Sequence, residues 1–161
     1  MRALLLVLLL LSAGCGFQLR GTADVPFETV YLPSPTGGIQ LDLKRQITAG
    51  TRAKVVDNPK DAQAIMQFTE ETRQKEILSL TSTGRVREFR LRYRVGFRVH
   101  DGKSGDYVPQ QTIVLFRDVS FNDSDILAKE TEEQLLFRDM QADMVSQIMR
   151  RLAAAQLPKP Q

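Results

Sequence analysis

The chain has 161 residues, 42% hydrophobic and 25% charged, ordinary usage for one globular domain, so disorder is not the default reading. Its single cysteine excludes an intramolecular disulfide, a CxxC redox pair and a cysteine zinc cluster; its single histidine excludes every two-histidine metal motif. The net charge of +3 is mild and becomes informative only because six arginines crowd between residues 85 and 98.

The amino terminus, MRALLLVLLLLSAGC, starts with one basic residue, runs apolar from Ala3 to Leu11 and ends in small residues. As a helix the run spans about 14 Å, at about 1.5 Å per residue, too short for a bilayer core of roughly 30 Å. Residues 1–14 therefore read as a secretory signal peptide. Ser12-Ala13-Gly14-Cys15 resembles the lipobox of bacterial lipoproteins. That likeness implies that Cys15 is acylated, palmitate included, and becomes the mature amino terminus. An ordinary signal peptide with a leftover thiol is the alternative. Two or three acyl chains anchor firmly, each buried methylene contributing roughly 0.8 kcal/mol. Gly16 in place of Asp after the cysteine implies the outer membrane.

Residues 15–27 read as a lipidated tether, residues 28–155 as one domain, and 156–161 as a tail. Thr29–Leu32 predicts a brief strand closed by Pro33 and a turn-rich stretch to Gly38. Ile39, Leu43 and Ile47 recur every four residues and predict an amphipathic helix. Gly50 occupies its expected cap, with Lys44 and Arg45 near the negative end of the helix dipole. After a turn at Asp57–Lys60 the period becomes two, with Ala62, Ala64, Met66 and Phe68 sharing a face. One long, bulged strand is expected over residues 62–80.

Thr81–Gly84 predicts a hairpin into RVREFRLRYRVGFRVH, residues 85–100. There Phe89, Leu91, Tyr93, Val95, Phe97 and Val99 alternate with Arg90, Arg92, Arg94, Arg98 and His100. A second hairpin at Asp101–Gly105 leads into Tyr107–Phe121, with Ile113, Leu115, Val119 and Phe121 on one face and Pro109 marking an edge. Asn122–Asp125 suits a helix start, and a long helix is expected to Ala154. Phe137, Met140, Met144, Ile148 and Leu152 form its core stripe, opposite Glu133, Gln141 and Gln147. The order β-α-β-β-β-α predicts an α+β fold: a four-stranded mixed sheet with two helices packed on one face.

The arginine face has two readings. It is solvated and paired with Glu70, Glu71, Glu76 and Glu88, or its planar forks bind an anion, with Arg85 and Arg87 best placed beside the hairpin tip. Nucleic acid is a poor partner, because the aromatics lie on the face that the helices cover, where bases cannot stack. Lipopolysaccharide (LPS) is the abundant phosphorylated surface met by an exported bacterial protein.

Cys15-Gly16-Phe17-Gln18-Leu19-Arg20-Gly21 is similar to the C-G-[FW]-x-L-R start of the LPS-assembly lipoprotein LptE family. Val30-Tyr31-Leu32, the following helix, the meander, Phe116-Arg117 and Ile126-Leu127-Ala128-Lys129-Glu130 fall in the family's order. The resemblance implies a lipid-anchored outer-membrane protein that plugs the β-barrel LptD, helps it assemble and binds LPS during insertion into the outer leaflet. It also implies that lipid-binding basic residues lie at the second-to-third strand hairpin and in an A-L-A-K stretch before the last helix. Lys129 matches the latter; Ser82 stands at the former, with Arg85 and Arg87 close by. Arg85, Arg87 and Lys129 are thus the candidate LPS contacts, Arg90, Arg92 and Arg94 candidates for touching barrel or anion, and Cys15 the lipid attachment. No Gly-rich phosphate loop, HExxH or GxSxG is present, so no catalytic residue, metal or cofactor is expected. The competing reading is a structural or accessory outer-membrane lipoprotein serving another barrel without binding LPS.

Overall fold

The computed structural model of the chain describes residues 25–33, 37–122 and 126–156. The expected signal peptide, Cys15 and most of the tether lie outside these residues.

The alternating strand organises everything else. In β4 (Val86–His100), Leu91, Tyr93, Val95, Phe97 and Val99 are fully buried, while Arg90, Arg92, Arg94 and Arg98 occupy the opposite face. β3 (Ala64–Leu80) and β5 (Asp106–Ser120) flank it, both antiparallel, as the two hairpins dictate. β1 (Thr29–Tyr31) runs parallel to β3, with Val30 opposite Ala64. The expected four strands become five, because β2 (Lys54–Val56) pairs parallel to the outer side of β1. Three residues are too few to display a period of two, so β2 left no pattern to read. The sheet order is β2-β1-β3-β4-β5, and β5 is the edge that Pro109 indicated.

Both helices pack on the apolar face. α1 (Gly38–Gly50) buries Ile39, Leu43 and Ile47. Its end differs from expectation: Gly50 is the last helical residue and Thr51 is the cap. The Thr51 N–H and hydroxyl both donate to the Ile47 carbonyl, at 3.0 and 2.9 Å, and Oγ1 accepts from the Ala53 N–H at 3.1 Å. A buried hydroxyl thus closes the helix without a left-handed glycine. Lys44 and Arg45 lie in mid-helix, away from the last turn, and face Asp57 at 3.8 Å and Asp42 at 3.5 Å.

α2 (Ile126–Ala153) is long but unevenly buried. Met140, Met144, Val145, Ile148, Met149 and Leu152 are buried, all in its second half. Burial of each such side chain contributes roughly 1.5–3 kcal/mol. Glu133 and Gln141, expected on the outer face, are turned inward. Lys75 Nζ lies 2.6 Å from Glu133; Arg73 donates to Gln141, whose amide in turn reaches Asp42 on α1.

A bulge explains why cations lie beneath a helix. Phe68 stands opposite Phe97, but the next pair is Glu70 with Gly96, leaving Thr69 as the extra residue. The slip exchanges the faces of β3. Met66 and Phe68 point to the helices before it; Glu71, Arg73, Lys75 and Ile77 do so beyond it. Glycine at 96 makes room, since a Cβ there would stand 2.6 Å from Thr69 Oγ1. Tyr93 follows the same logic. Its hydroxyl donates to Glu71 at 2.7 Å and its ring lies 4.8 Å beneath Arg73; burial first, then the Glu71 bond, pushes its pKa up.

The sheet is therefore two structures joined end to end. Its near end holds five strands, α1 and the buried half of α2. Past Ile65, β3 has no neighbour on its outer side, so the far end is a three-stranded projection roofed by the first half of α2.

Candidate functional site

The six arginines divide into an outer-face ladder and a tip pair. Along the ladder, each guanidinium finds an acceptor across the strand. Arg90 Nε and Nη2 grip both Asp118 oxygens, at 2.8 and 2.9 Å, because β5 sets Asp118 directly opposite. This fork pulls the Asp118 carboxyl below the ordinary aspartate range and raises Arg90. Arg92 pairs with Glu76 at 3.0 Å, Arg94 with Glu70 at 3.0 Å, and Arg98 donates to Gln67 at 2.8 Å. The Phe116 ring lies 5.6 Å from both Arg90 and Arg92 and is exposed between them, beside exposed Val114. Two expected pairings, Glu70 and Glu76, are present. Glu71 and Glu88 instead accept from Tyr93 and Ser79, and Asp118 is the partner that sequence reasoning missed. The ladder presents paired charge.

The tip pair lies elsewhere. Gly84, at φ 80°, closes the β3–β4 turn in which the Thr81 N–H donates to the Arg85 carbonyl at 2.7 Å and Thr81 Oγ1 accepts from the Arg85 N–H at 3.1 Å. Arg87 is exposed, and its carbonyl accepts from the Phe121 N–H at 2.8 Å. That bond brings the end of β5, and hence the start of α2, to the hairpin. Lys129 Nζ there lies 2.8 Å from Glu132 and 3.4 Å from Ser120 Oγ. Ser120 itself stands opposite Glu88. Arg85 and Arg87, together with Lys129 more than forty residues further along the chain, thus occupy one end of the molecule.

Other features take structural roles. His100 Nδ1 accepts from the Gly102 N–H at 3.1 Å within the second hairpin. No cluster of three metal-ligating side chains occurs among the described residues. A depression of about 670 Å³ lined by Val25, Phe27, Arg52 and Lys54 belongs to the near end, away from the basic tip. Among the described residues no helix is long and apolar enough to cross a membrane.

Comparison with known proteins bears on this arrangement. The family description "LptE: Lipopolysaccharide-assembly" matches residues 27–152. Curated relatives called LPS-assembly lipoprotein LptE include one from Photorhabdus laumondii, 27% identical over 89% of this chain and 79% of the relative. Another, from Yersinia enterocolitica, is 29% identical over 94% of this chain and 75% of the relative. Among solved structures, a lipoprotein B from Nitrosomonas europaea is 45% identical, with TM-score 0.74, covering 86% of this chain and 91% of that one. The rare lipoprotein B of Shewanella oneidensis, at 23% identity and TM-score 0.68 over 78% and 94%, shares the fold.

Proposed function

The chain belongs to the LptE family of lipopolysaccharide-assembly lipoproteins, and from that premise we propose that it is an outer-membrane lipoprotein, anchored through Cys15, that plugs the barrel LptD and binds LPS at its far end. In this reading Arg85, Arg87 and Lys129 take the phosphates of LPS. Arg90, Arg92 and Arg94, already neutralised by Asp118, Glu76 and Glu70, abut the polar wall of the barrel alongside Phe116. A barrel lumen is polar, and guanidinium groups whose charge is already paired suit such a partly desolvated contact.

The observation that carries the LPS reading is convergence. Two segments far apart in sequence, the β3–β4 hairpin and the first turn of α2, bring their basic residues to the same exposed end. A solvated surface has no reason to gather them there. The protein's part is binding and positioning, not bond-making.

The test is direct. Replacing Arg85, Arg87 and Lys129 with Glu weakens LPS binding with no loss of helical signal in circular dichroism; unchanged affinity rules out these contacts. Isolation from outer membranes recovers a stoichiometric large β-barrel, and its absence favours an accessory lipoprotein. Cys15→Ser releases the chain into the periplasm, whereas continued retention argues against the anchor.

A further inference from the structure

Eight large hydrophobic side chains are exposed among the described residues, and five of them lie at the tip of the far end, beyond Val114 and Phe116: Ile77, Leu78, Leu80, Ile126 and Leu127. Single exposed leucines need no explanation, but a cluster does. Leu127 is 80% exposed and Ile77 60% exposed, although Ile77 points to the helix-bearing side. The reason is geometric: α2 starts over β5, where Lys129 meets Ser120, and reaches β3 only at Lys75 and Glu133, leaving Ile77 beyond its roof. Ile77, Phe89 and Val119 form one cross-strand row, which Phe121 extends by stacking edge-on against Phe89 at 5.2 Å. The five aliphatics therefore rim the end of an apolar row instead of lying scattered.

Two features of the rim identify what covers it. Its side chains are all Leu and Ile, whereas protein interfaces concentrate Tyr, Trp, Phe and Met. The exposed Arg87 and the ammonium of Lys129 share the same end, the pairing of cation and aliphatic side chain that suits a boundary between phosphates and acyl chains.

We infer that the rim formed by Ile77, Leu78, Leu80, Ile126 and Leu127 is an acyl-chain subsite, holding the hydrocarbon of the same amphiphile whose phosphates Arg87 and Lys129 take. This rests on the phosphate-binding role given above to the far end. The subsite makes the protein a reader of the whole amphiphile, able to distinguish an acylated phosphoglycolipid from a free phosphorylated sugar.

The experiment compares intact LPS with its fully deacylated form, which keeps the phosphates, by calorimetry on the purified chain. The wild type binds the intact form more tightly. Leu78→Gln with Leu127→Gln weakens binding of intact LPS by about tenfold or more, with binding of the deacylated form and Tm unchanged. Leu80→Gln with Ile126→Gln is the second pair, and decides the matter if the first fails to fold. Arg87→Glu with Lys129→Glu weakens binding of both forms. Wild-type affinity of the leucine variants for intact LPS overturns the subsite, while weakened binding by the Arg87 and Lys129 variant leaves the phosphate role standing. Leucine variants that keep LPS affinity but lose a co-purifying barrel also overturn it, since the rim is then a protein contact. If no variant alters either affinity, both proposals fall.

Discussion

Towards the near end, where the sheet widens to five strands, Phe97 and Val99 are inaccessible to solvent. At the far end, Phe89 and Ile77, on strands continuous with these, lie at the margin of half a helix in a three-stranded projection, half-buried and exposed respectively. The near end is held by apolar burial, which salt does not weaken. Towards the tip of the far end that burial stops, in β4, at Leu91, and the contacts beyond and around it are Lys75–Glu133, Arg117–Asp143 and the stacking of Lys75 on Phe89 at 4.4 Å. Exposed pairs of this kind contribute only about 0–1 kcal/mol each. Stability is thus concentrated where no candidate contact lies, leaving the far end free to expose cations and aliphatics that a self-sufficient core would have covered.

The largest test of this division is Phe97→Ala, expected to cost about 3–5 kcal/mol in urea unfolding, against a change within about 0.5 kcal/mol for Leu127→Ala. Comparable losses at the two sites would erase the distinction. At the junction, Gly96→Ala forces a methyl onto Thr69 Oγ1 and should destabilise by about 1–3 kcal/mol, with Thr69→Ala recovering part of the loss. Smaller still is the Lys75–Glu133 coupling, expected at no more than about 1 kcal/mol in a double-mutant cycle and lower at high salt.

Acid sharpens the contrast most finely. Asp101, at the near-end hairpin, is held below its ordinary pKa by the backbone N–H groups of Lys103 and Gly105; Asp118, towards the far end, is held there by the Arg90 guanidinium. Both native values are depressed, so each contribution is full above the ordinary aspartate pKa of about 3.9 and is lost as pH falls through the depressed value. Asp118→Asn should flatten that slope at low salt and have less effect at high salt. Asp101→Asn should flatten it at both, and identical salt responses would contradict the assigned causes.

Much of this was legible in the residues. The odd and even faces of β4 could be read without coordinates because six apolar positions in succession at a period of two, Phe89 to Val99, leave one way to bury them. The bulge showed as a stretch where alternation failed, but its position did not, because Glu70 to Glu76 is polar at both parities. For the same reason the helix pattern puts Glu133 and Gln141 outside: nothing in it reveals that β3 offers cations beneath. Asp118 has no such signal, because the β4–β5 register slips at Phe97/Val99 and again at Val99/His100 before Arg90 meets it. Among the site residues, Lys129 was found through family likeness; its proximity to the hairpin depends on the Phe121–Arg87 bond, a main-chain contact without a side-chain signature.

Thr69 acts on the far end as a phase shifter. Because it adds one step to β3 with none added to β4, each later residue of β3 changes parity relative to the core, which puts Glu70 and Glu76 within reach of Arg94 and Arg92. Pairing Thr69 in register with Gly96, instead of bulging it out, would break no ion pair of its own. It would nevertheless invert the sign pattern of half a strand, setting Glu70 and Glu76 beneath the helix and Arg73 and Lys75 beside the first row of cations.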